Sequence, residues 1–358
     1  MIADLSRLLV GPDASLREVM ACVDRNAKGI ALVVDQERCL IGTVTDGDLR
    51  RAILARLDLN LPVRTLLEQR AGTPYAIPLT APMGTPDAHL LHLMNERSVR
   101  HIPLVDEAGR VVDIGLLGDL VKEYELPLSA VVMAGGYGTR LRPLTEELPK
   151  AMLPVGDRPL MQVIIEQLRQ AGIRRVNVTT HYRPEKISDY FGDGRGFGVE
   201  LNYVTEDRPL GTAGGLGLVA ASEEPLLVIN GDILARVDFR AMLEHHREHG
   251  AEMTVAVRQY DVPVPYGVIE TEGARVRRLR EKPIFNFLVN AGIYLLEPAV
   301  VRSIPNGRRF DMTELIQRLL DEGRPVATFP IVGYWLDVGK HGDYVQAQED
   351  VKSGRFTT

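Results

Sequence analysis

Two stretches near the start of the chain, Leu16 to Arg25 and Ala88 to Arg97, place apolar residues at helical spacing, and each leads into a short apolar run. The runs are Ile30-Ala-Leu-Val-Val34, closed by Asp35, and Ile102-Pro-Leu-Val105, closed by Asp106. A polar turn follows in both places (Gln36-Glu-Arg38, Glu107-Ala-Gly109), and a second apolar run ends in Gly-Asp-Leu. Asp35 precedes Asp106 by 71 residues and Asp48 precedes Asp119 by the same distance (106 − 35 and 119 − 48), with Gly47 falling on Gly118. One helix and a few short strands in about 55 residues bury too little apolar surface to stand alone, so the two copies are expected to pack together.

The pattern changes after Lys122-Glu-Tyr-Glu-Leu-Pro127, where charge and a proline mark a boundary. A strong strand signal, Ala130–Met133, comes next. It is followed by a helical stretch from Leu160 to Ala171 and by strand-like runs at Val176–Thr180, Leu201–Val204 and 225–230. Strands alternating with helices predict an α/β domain with a mostly parallel sheet. The expected division is residues 1–58 and 59–125 for two α+β repeats and 129–358 for the α/β domain.

Composition removes several function classes. With 45% apolar and 25% charged residues the chain reads as globular, and at net charge −6 it has no basic bias suited to a nucleic-acid backbone. Cys22 and Cys39 are too few for a disulfide framework or a zinc site and are expected as free thiols. No apolar run reaches membrane-spanning length, and Met1 to Val10 carries Asp4 and Arg7, unlike a signal peptide. A cytoplasmic protein without a membrane or nucleic-acid partner is expected, and a homo-oligomer.

Chemistry enters at the end of the first α/β strand. Ala130–Met133 runs into Ala134-Gly-Gly-Tyr-Gly-Thr-Arg-Leu-Arg-Pro-Leu-Thr145. Glycines here let backbone N–H groups turn toward an anion, and Arg140 and Arg142 add charge-assisted contacts to phosphate oxygens. A dinucleotide fingerprint would open a helix directly, which Pro143 opposes; a P-loop would need Gly-Lys-Ser/Thr, which is missing. Farther on, the apolar run of Pro225-Leu-Leu-Val-Ile-Asn-Gly-Asp232 delivers Asp232 at a strand's carboxyl end, where open α/β sheets bind ligands.

Two resemblances follow from these motifs. The repeats, with the turn Gly42-Thr-Val-Thr-Asp-Gly-Asp-Leu-Arg50, resemble a tandem pair of CBS domains over residues 1–125. That resemblance implies an adenine nucleotide whose ribose is held by Thr45 and Asp48. The second copy keeps Asp119 but has Leu116 where Thr45 would stand, so at most one competent site is expected; a pair serving only packing is the alternative. Gly135-Gly-Tyr-Gly-Thr-Arg-Leu-Arg-Pro-Leu-Thr145, followed by Pro149-Lys-Ala-Met-Leu-Pro-Val155, resembles the opening motif of the sugar-phosphate nucleotidyltransferases, a likeness extending over 129–358.

This second resemblance implies a doubly wound α/β core and a nucleoside triphosphate held over Ala134, Gly135, Gly136, Gly138 and Thr139, with Arg140 and Lys150 neutralising charge at the α-phosphate. It implies Mg²⁺ (or Mn²⁺) on Asp232 and on Asp337 of Tyr334-Trp-Leu-Asp-Val-Gly339. Glu206, Gly211 and Thr212, from Glu206-Asp-Arg-Pro-Leu-Gly-Thr-Ala-Gly-Gly215, would line the base pocket. Gly214, Gly267, Glu281, Lys282 and Asn290 would hold the sugar 1-phosphate. Catalysis would rest on Arg140, Lys150 and Asp232. The implied reaction is in-line attack by a sugar 1-phosphate oxygen on the α-phosphorus with release of pyrophosphate.

No histidine base is needed, and His245, His246 and His249 are expected at the surface. The carboxylate of Glu206 can accept guanine N1–H and N2–H₂ together, whereas uridylyl and thymidylyl enzymes of the family often carry Gln there. GTP is therefore expected ahead of UTP or dTTP. Fusion to CBS repeats resembles guanylyltransferases of bacterial sugar pathways such as those leading to nonulosonic acids, which implies glucosamine or an N-acetylated relative as the sugar and a nucleotide-responsive regulator. No acyltransferase repeat follows, so a bifunctional acetyltransferase is not expected. A catalytically inactive sensor and a nicotinamide-dependent enzyme are the readings from other classes.

Overall fold

A computed structural model describes residues 5–70, 73, 76–120 and 125–356; the 122–124 part of the expected boundary lies outside the described residues. Each N-terminal repeat contributes a three-stranded sheet of one design. In the first, Ile30–Val34 pairs antiparallel with Leu40–Thr45, with Ile30 opposite Thr45; in the second, His101–Val105 pairs with Val111–Leu116, with His101 opposite Leu116. Both ladders break register at the same place, Val33/Val34 and Leu104/Val105. The repeat seen in sequence is thus a repeat of backbone register. Leu8, Ile30, Leu32 and Val34 pack with Val111, Ile114 and Leu116 in one buried cluster, so the copies close each other's cores.

The α/β domain is built on a seven-stranded sheet. Its order is Glu200–Thr205, Arg175–Thr180, Ser129–Met133, Leu226–Asn230, Ile284–Leu296, Met253–Pro263 and Val326–Pro330. All neighbours are parallel except Ile284–Leu296, which runs against both of its partners. Side chains alternate across a strand, and the central strand shows the result. Ala130 and Val132 join a core that includes the helix Leu160–Gln170, while Val131 joins the opposite core with the helix Met312–Asp321. Both faces are covered, as the apolar strands predict.

The two parts are joined by specific contacts. Val332 lies in the core of the first repeat, and Arg50 stacks over the Phe329 ring at 4.4 Å. Ion pairs link Asp24 to Arg236, Arg100 to Asp238 and Arg17 to Asp261. Cys22 is buried and Cys39 partly so, and both are free thiols. Among the described residues no helix is long and apolar enough to cross a membrane.

Candidate functional site

The glycine segment leaves the strand Ser129–Met133 and winds into a single 3₁₀ turn, Thr139–Leu141, in place of a full helix. Gly138 sits at φ 62°, and a Cβ there would stand 2.8 Å from Thr145 Cγ2 and 3.2 Å from Lys150 Cβ, so only glycine fits. The Thr145 hydroxyl donates to the Gly138 carbonyl at 2.8 Å and locks the turn. Ala134 is buried, whereas Gly136, Thr139 and Arg140 are exposed; a Cβ on Gly136 would meet nothing within 4 Å. An open backbone flanked by a cation is the arrangement a polyphosphate requires.

Lys150, on the turn Lys150–Met152, reaches under this loop to Asp232, and their ammonium and carboxylate are in direct contact. Asp232 stands just past the strand Leu226–Asn230, and Gly231 before it donates its N–H to the Met133 carbonyl at 2.9 Å. Asp337 comes from a separate two-stranded ribbon. Trp335–Asp337 pairs antiparallel with Ile233–Ala235, Asp337 lying opposite Ile233. Burial first, and then the Asp232 charge, push the Asp337 carboxyl above its usual range; Lys150 and Arg140 oppose that shift. Its Oδ1 is buried and has no hydrogen-bond partner among the described residues.

Two neighbouring carboxylates, one with an unpaired buried oxygen, form a donor set that suits a hard divalent cation such as Mg²⁺ or Mn²⁺. The residues present fit the expected metal. Asn230, which the sequence reading did not assign, also presents a buried, partnerless Oδ1 one residue before Gly231. Its signal was its place in the strand-end Asn-Gly-Asp.

The other candidate residues divide. Glu206 is 6% exposed, and burial raises its pKa. Its Oε2 accepts the Leu210 N–H at 2.9 Å, so the expected simultaneous acceptance of two guanine donors is restricted: one oxygen is already engaged by the backbone. Oε1 faces the glycine loop, 3.5 Å from where a Gly135 Cβ would be and 2.6 Å from one on Gly215. His181 ties the two segments together, its Nδ1 bonding the Glu206 carbonyl at 2.7 Å and its Nε2 the Tyr137 hydroxyl at 2.8 Å.

Gly211, Thr212 and Gly214 also have a structural employment, as a turn that enters a helix can line a pocket as well. A Cβ on Gly211 would come 2.8 Å from the Phe310 carbonyl, and one on Gly214 would come 2.8 Å from the Arg308 carbonyl. The Thr212 hydroxyl accepts the Met312 N–H at 2.8 Å, while Asp311 Oδ1 accepts the Thr212 N–H at 3.0 Å. These residues therefore join residues 308–312 and cap the helix Met312–Asp321.

Asn290 lies on the long strand Ile284–Leu296, and its Oδ1 accepts the Gly292 N–H at 3.0 Å. Gly267 and Glu281 meet at the base of the hairpin Val268–Glu272/Arg275–Arg280, a Gly267 Cβ standing 3.1 Å from Glu281 Oε2. Lys282 is exposed at φ 43°, a left-handed conformation of the kind that gathers at ligand sites. Among the described residues, no hydrogen bond ties Glu281 or Lys282 to the Asp232 group.

His246 corrects an expectation. It is 1% exposed, bonded to Thr254 Oγ1 at 2.7 Å and to Glu297 Oε1 at 3.1 Å. Phe239, Met242 and His246 share one helical face, the buried one, so their spacing was the signal. His245 and His249 are partly buried and exposed, respectively.

In the first repeat, Thr45 caps the helix Asp46–Leu54 and Asp48 completes a capping box, Thr45 N–H reaching Asp48 Oδ2 at 2.8 Å. Asp48 also contacts Arg51 and Arg70. The pair expected to hold a ribose thus already has partners within the chain. Asp119 in the second copy is largely exposed and 3.8 Å from Lys28.

The sequence profile of the nucleotidyl transferase family matches residues 129–354, and that of the CBS domain matches 4–55 and 76–126. The chain belongs to the nucleotidyl transferase family and carries a tandem CBS pair before that domain. It is 34% identical over 236 residues to a mannose-1-phosphate guanylyltransferase of Mycobacterium tuberculosis, covering 63% of this chain and 65% of that protein. It is 33% identical over 247 residues to a UTP–glucose-1-phosphate uridylyltransferase of Synechocystis, covering 63% and 64%. Under two thirds of either relative's length is therefore matched. Among solved structures, a Bacillus anthracis protein assigned as a glucose-1-phosphate thymidylyltransferase, in complex with sucrose, superposes with a TM-score of 0.53 at 25% identity. That match covers 64% of this chain and 98% of the other.

Proposed function

We propose that this chain transfers a nucleotidyl group, GMP from GTP, onto a hexose 1-phosphate in a reaction dependent on Mg²⁺ or Mn²⁺. One observation carries the reading. Lys150 beneath the glycine loop touches Asp232 at the neighbouring strand end, and Asp337 faces that pair with an unsatisfied buried oxygen.

The sugar phosphate oxygen attacks the α-phosphorus, the bond to the β-phosphate oxygen breaks, and pyrophosphate leaves with the electron pair. The nucleophile is already anionic, so no residue has to remove a proton. Positioning and charge neutralisation supply the rate. Backbone N–H groups of Gly135 to Thr139 cradle the triphosphate, and Arg140 and Lys150 lower the repulsion between two polyanions. A divalent cation held by Asp232 and Asp337 supplies further charge neutralisation at the phosphate oxygens.

The guanylyl reading is supported by the Mycobacterium relative's name and by Glu206 Oε1, which remains directed at the glycine loop. The Synechocystis relative's name and the engagement of Glu206 Oε2 favour the second reading, uridylyl transfer. In the first CBS repeat an adenine nucleotide acts as a regulator, its ribose exchanging for the Arg70 contact at Asp48. Pyrophosphate release across five nucleoside triphosphates and a panel of hexose 1-phosphates tests the activity.

A further inference from the structure

The ribbon that carries Asp337 has two functional ends. It holds three residue pairs, Ile233 with Asp337, Leu234 with Leu336 and Ala235 with Trp335, apart from the large sheet. At one end stand the carboxylates: Asp232 precedes Ile233, and its carbonyl accepts the Val338 N–H at 3.0 Å. At the other end the Arg236 N–H donates to the Tyr334 carbonyl at 2.8 Å. At about 3.4 Å per residue the two ends are only about 10 Å apart.

The far end is gripped by the N-terminal repeat. Asp24, on the helix Leu16–Asn26, accepts the Tyr334 N–H with Oδ1 at 2.6 Å and the Arg236 guanidinium with the same oxygen at 3.2 Å. Its carbonyl accepts that guanidinium again at 2.9 Å. The Asp24 and Arg236 side chains are 22% and 15% exposed, so this is no loose surface pair. Gly333 lets the strand pass so close: a Cβ there would stand 3.1 Å from Asp24 Oδ1. Val332 is buried in the repeat's own core. Residues 332–334 are thus built into the repeat, and the next three run straight to the metal carboxylate.

We infer that Asp24 is a positioning residue through which the first CBS repeat sets the relation of Asp232 to Asp337. The ribbon is suited to this because Ile233, Leu234 and Ala235 are buried, and a one-residue slip would turn every side chain to the wrong face. Displacement at Tyr334 therefore moves the ribbon as a unit. Two further ion pairs between the two parts, among the described residues, fall outside the ribbon. Arg100 meets Asp238, the cap of the helix Phe239–Glu248, and Arg17 meets Asp261 on the strand Met253–Pro263. The inference rests on reading Asp232 and Asp337 as the metal pair.

Trp335 is the chain's sole tryptophan and lies inside the ribbon, its indole N–H donating to the Ala291 carbonyl at 2.9 Å. Its emission reports the ribbon without any turnover. The full chain is titrated with Mn²⁺ in the presence of pyrophosphate, with bound Mn²⁺ counted by equilibrium dialysis and folding checked by thermal melting. Asp24→Ala should raise the half-saturating Mn²⁺ concentration about fivefold or more, the lower range of coupling between sites. Asp24→Asn, which keeps an acceptor for Tyr334 but loses the charge, should fall between, and Arg100→Ala should match the wild type. A folded Asp24→Ala variant that titrates like the wild type overturns the inference. So does an equal shift in Arg100→Ala, which would make the effect one of general domain docking. Absence of Mn²⁺ binding in the wild type would instead overturn the metal pair itself, and the inference with it.

Discussion

Lys150 rests its ammonium against the Asp232 carboxylate, while Asp337, opposite on the ribbon, keeps a buried oxygen with no partner among the described residues. One carboxylate touches a cation of the chain, and the other has a buried oxygen outside any hydrogen bond among the described residues. Asp232→Asn or Asp337→Asn should lower kcat/KM by about a hundredfold or more, the scale of losing one electrostatic contact to a transition state. Circular dichroism should show the fold retained. Chelation should abolish turnover, and Mg²⁺ or Mn²⁺ should restore it.

Glu206 is the residue proposed to select the base. Glu206→Gln should keep the Leu210 contact while removing the charge, and the GTP-to-UTP preference should fall about tenfold, the equivalent of 1.4 kcal/mol. Competition kinetics with both triphosphates measures it; an unchanged ratio would place base selection elsewhere.

Burial keeps His246 neutral, its pKa below the ordinary 6.5 despite the neighbouring Glu297. A histidine whose folded pKa is depressed contributes full stability above the unfolded value and loses it as pH falls, because the unfolded chain takes up the proton first. Urea unfolding should show stability dropping below about pH 6.5, by at most about 1.4 kcal/mol per pH unit from this one group. His246→Gln should remove that component of the slope.

In the first repeat, Asp48 binds Thr45, Arg51 and Arg70. Asp48→Ala should cost about 3 kcal/mol by stranding a partly buried guanidinium. Arg70→Ala should remove one of the partners crowding Asp48 Oδ2, which Thr45 still engages, and tighten ATP binding measured by calorimetry. ATP binding that neither substitution changes would leave the repeat a packing module.

Much of the fold was legible. Ser129–Met133 and Leu226–Asn230 are largely apolar runs with a glycine within two residues of their ends, and the 71-residue repeat reappeared as matching register in two sheets. The reversed direction of Ile284–Leu296 was not, because apolar periodicity carries no sense of direction. Asp232 carried its own signal at a strand end; Lys150 and Asp337 were named only by the resemblance, and the structure gathers all three in one place. The packing of Gly211 and Gly214 on 308–312 was not legible, since those partners lie about a hundred residues away and leave no local trace. Asp24 was invisible for the same reason: its partner Tyr334 is 310 residues distant.

Nucleotidyl transfer to a sugar phosphate is the activity on which all these roles depend. Pyrophosphate release is to be measured with GTP, UTP, dTTP, CTP and ATP, each against the 1-phosphates of mannose, glucose, glucosamine and N-acetylglucosamine, in Mg²⁺. Turnover should be highest with GTP and one of these hexose 1-phosphates, and lost in Asp232→Asn. A folded wild-type chain with no turnover in any pairing would contradict it.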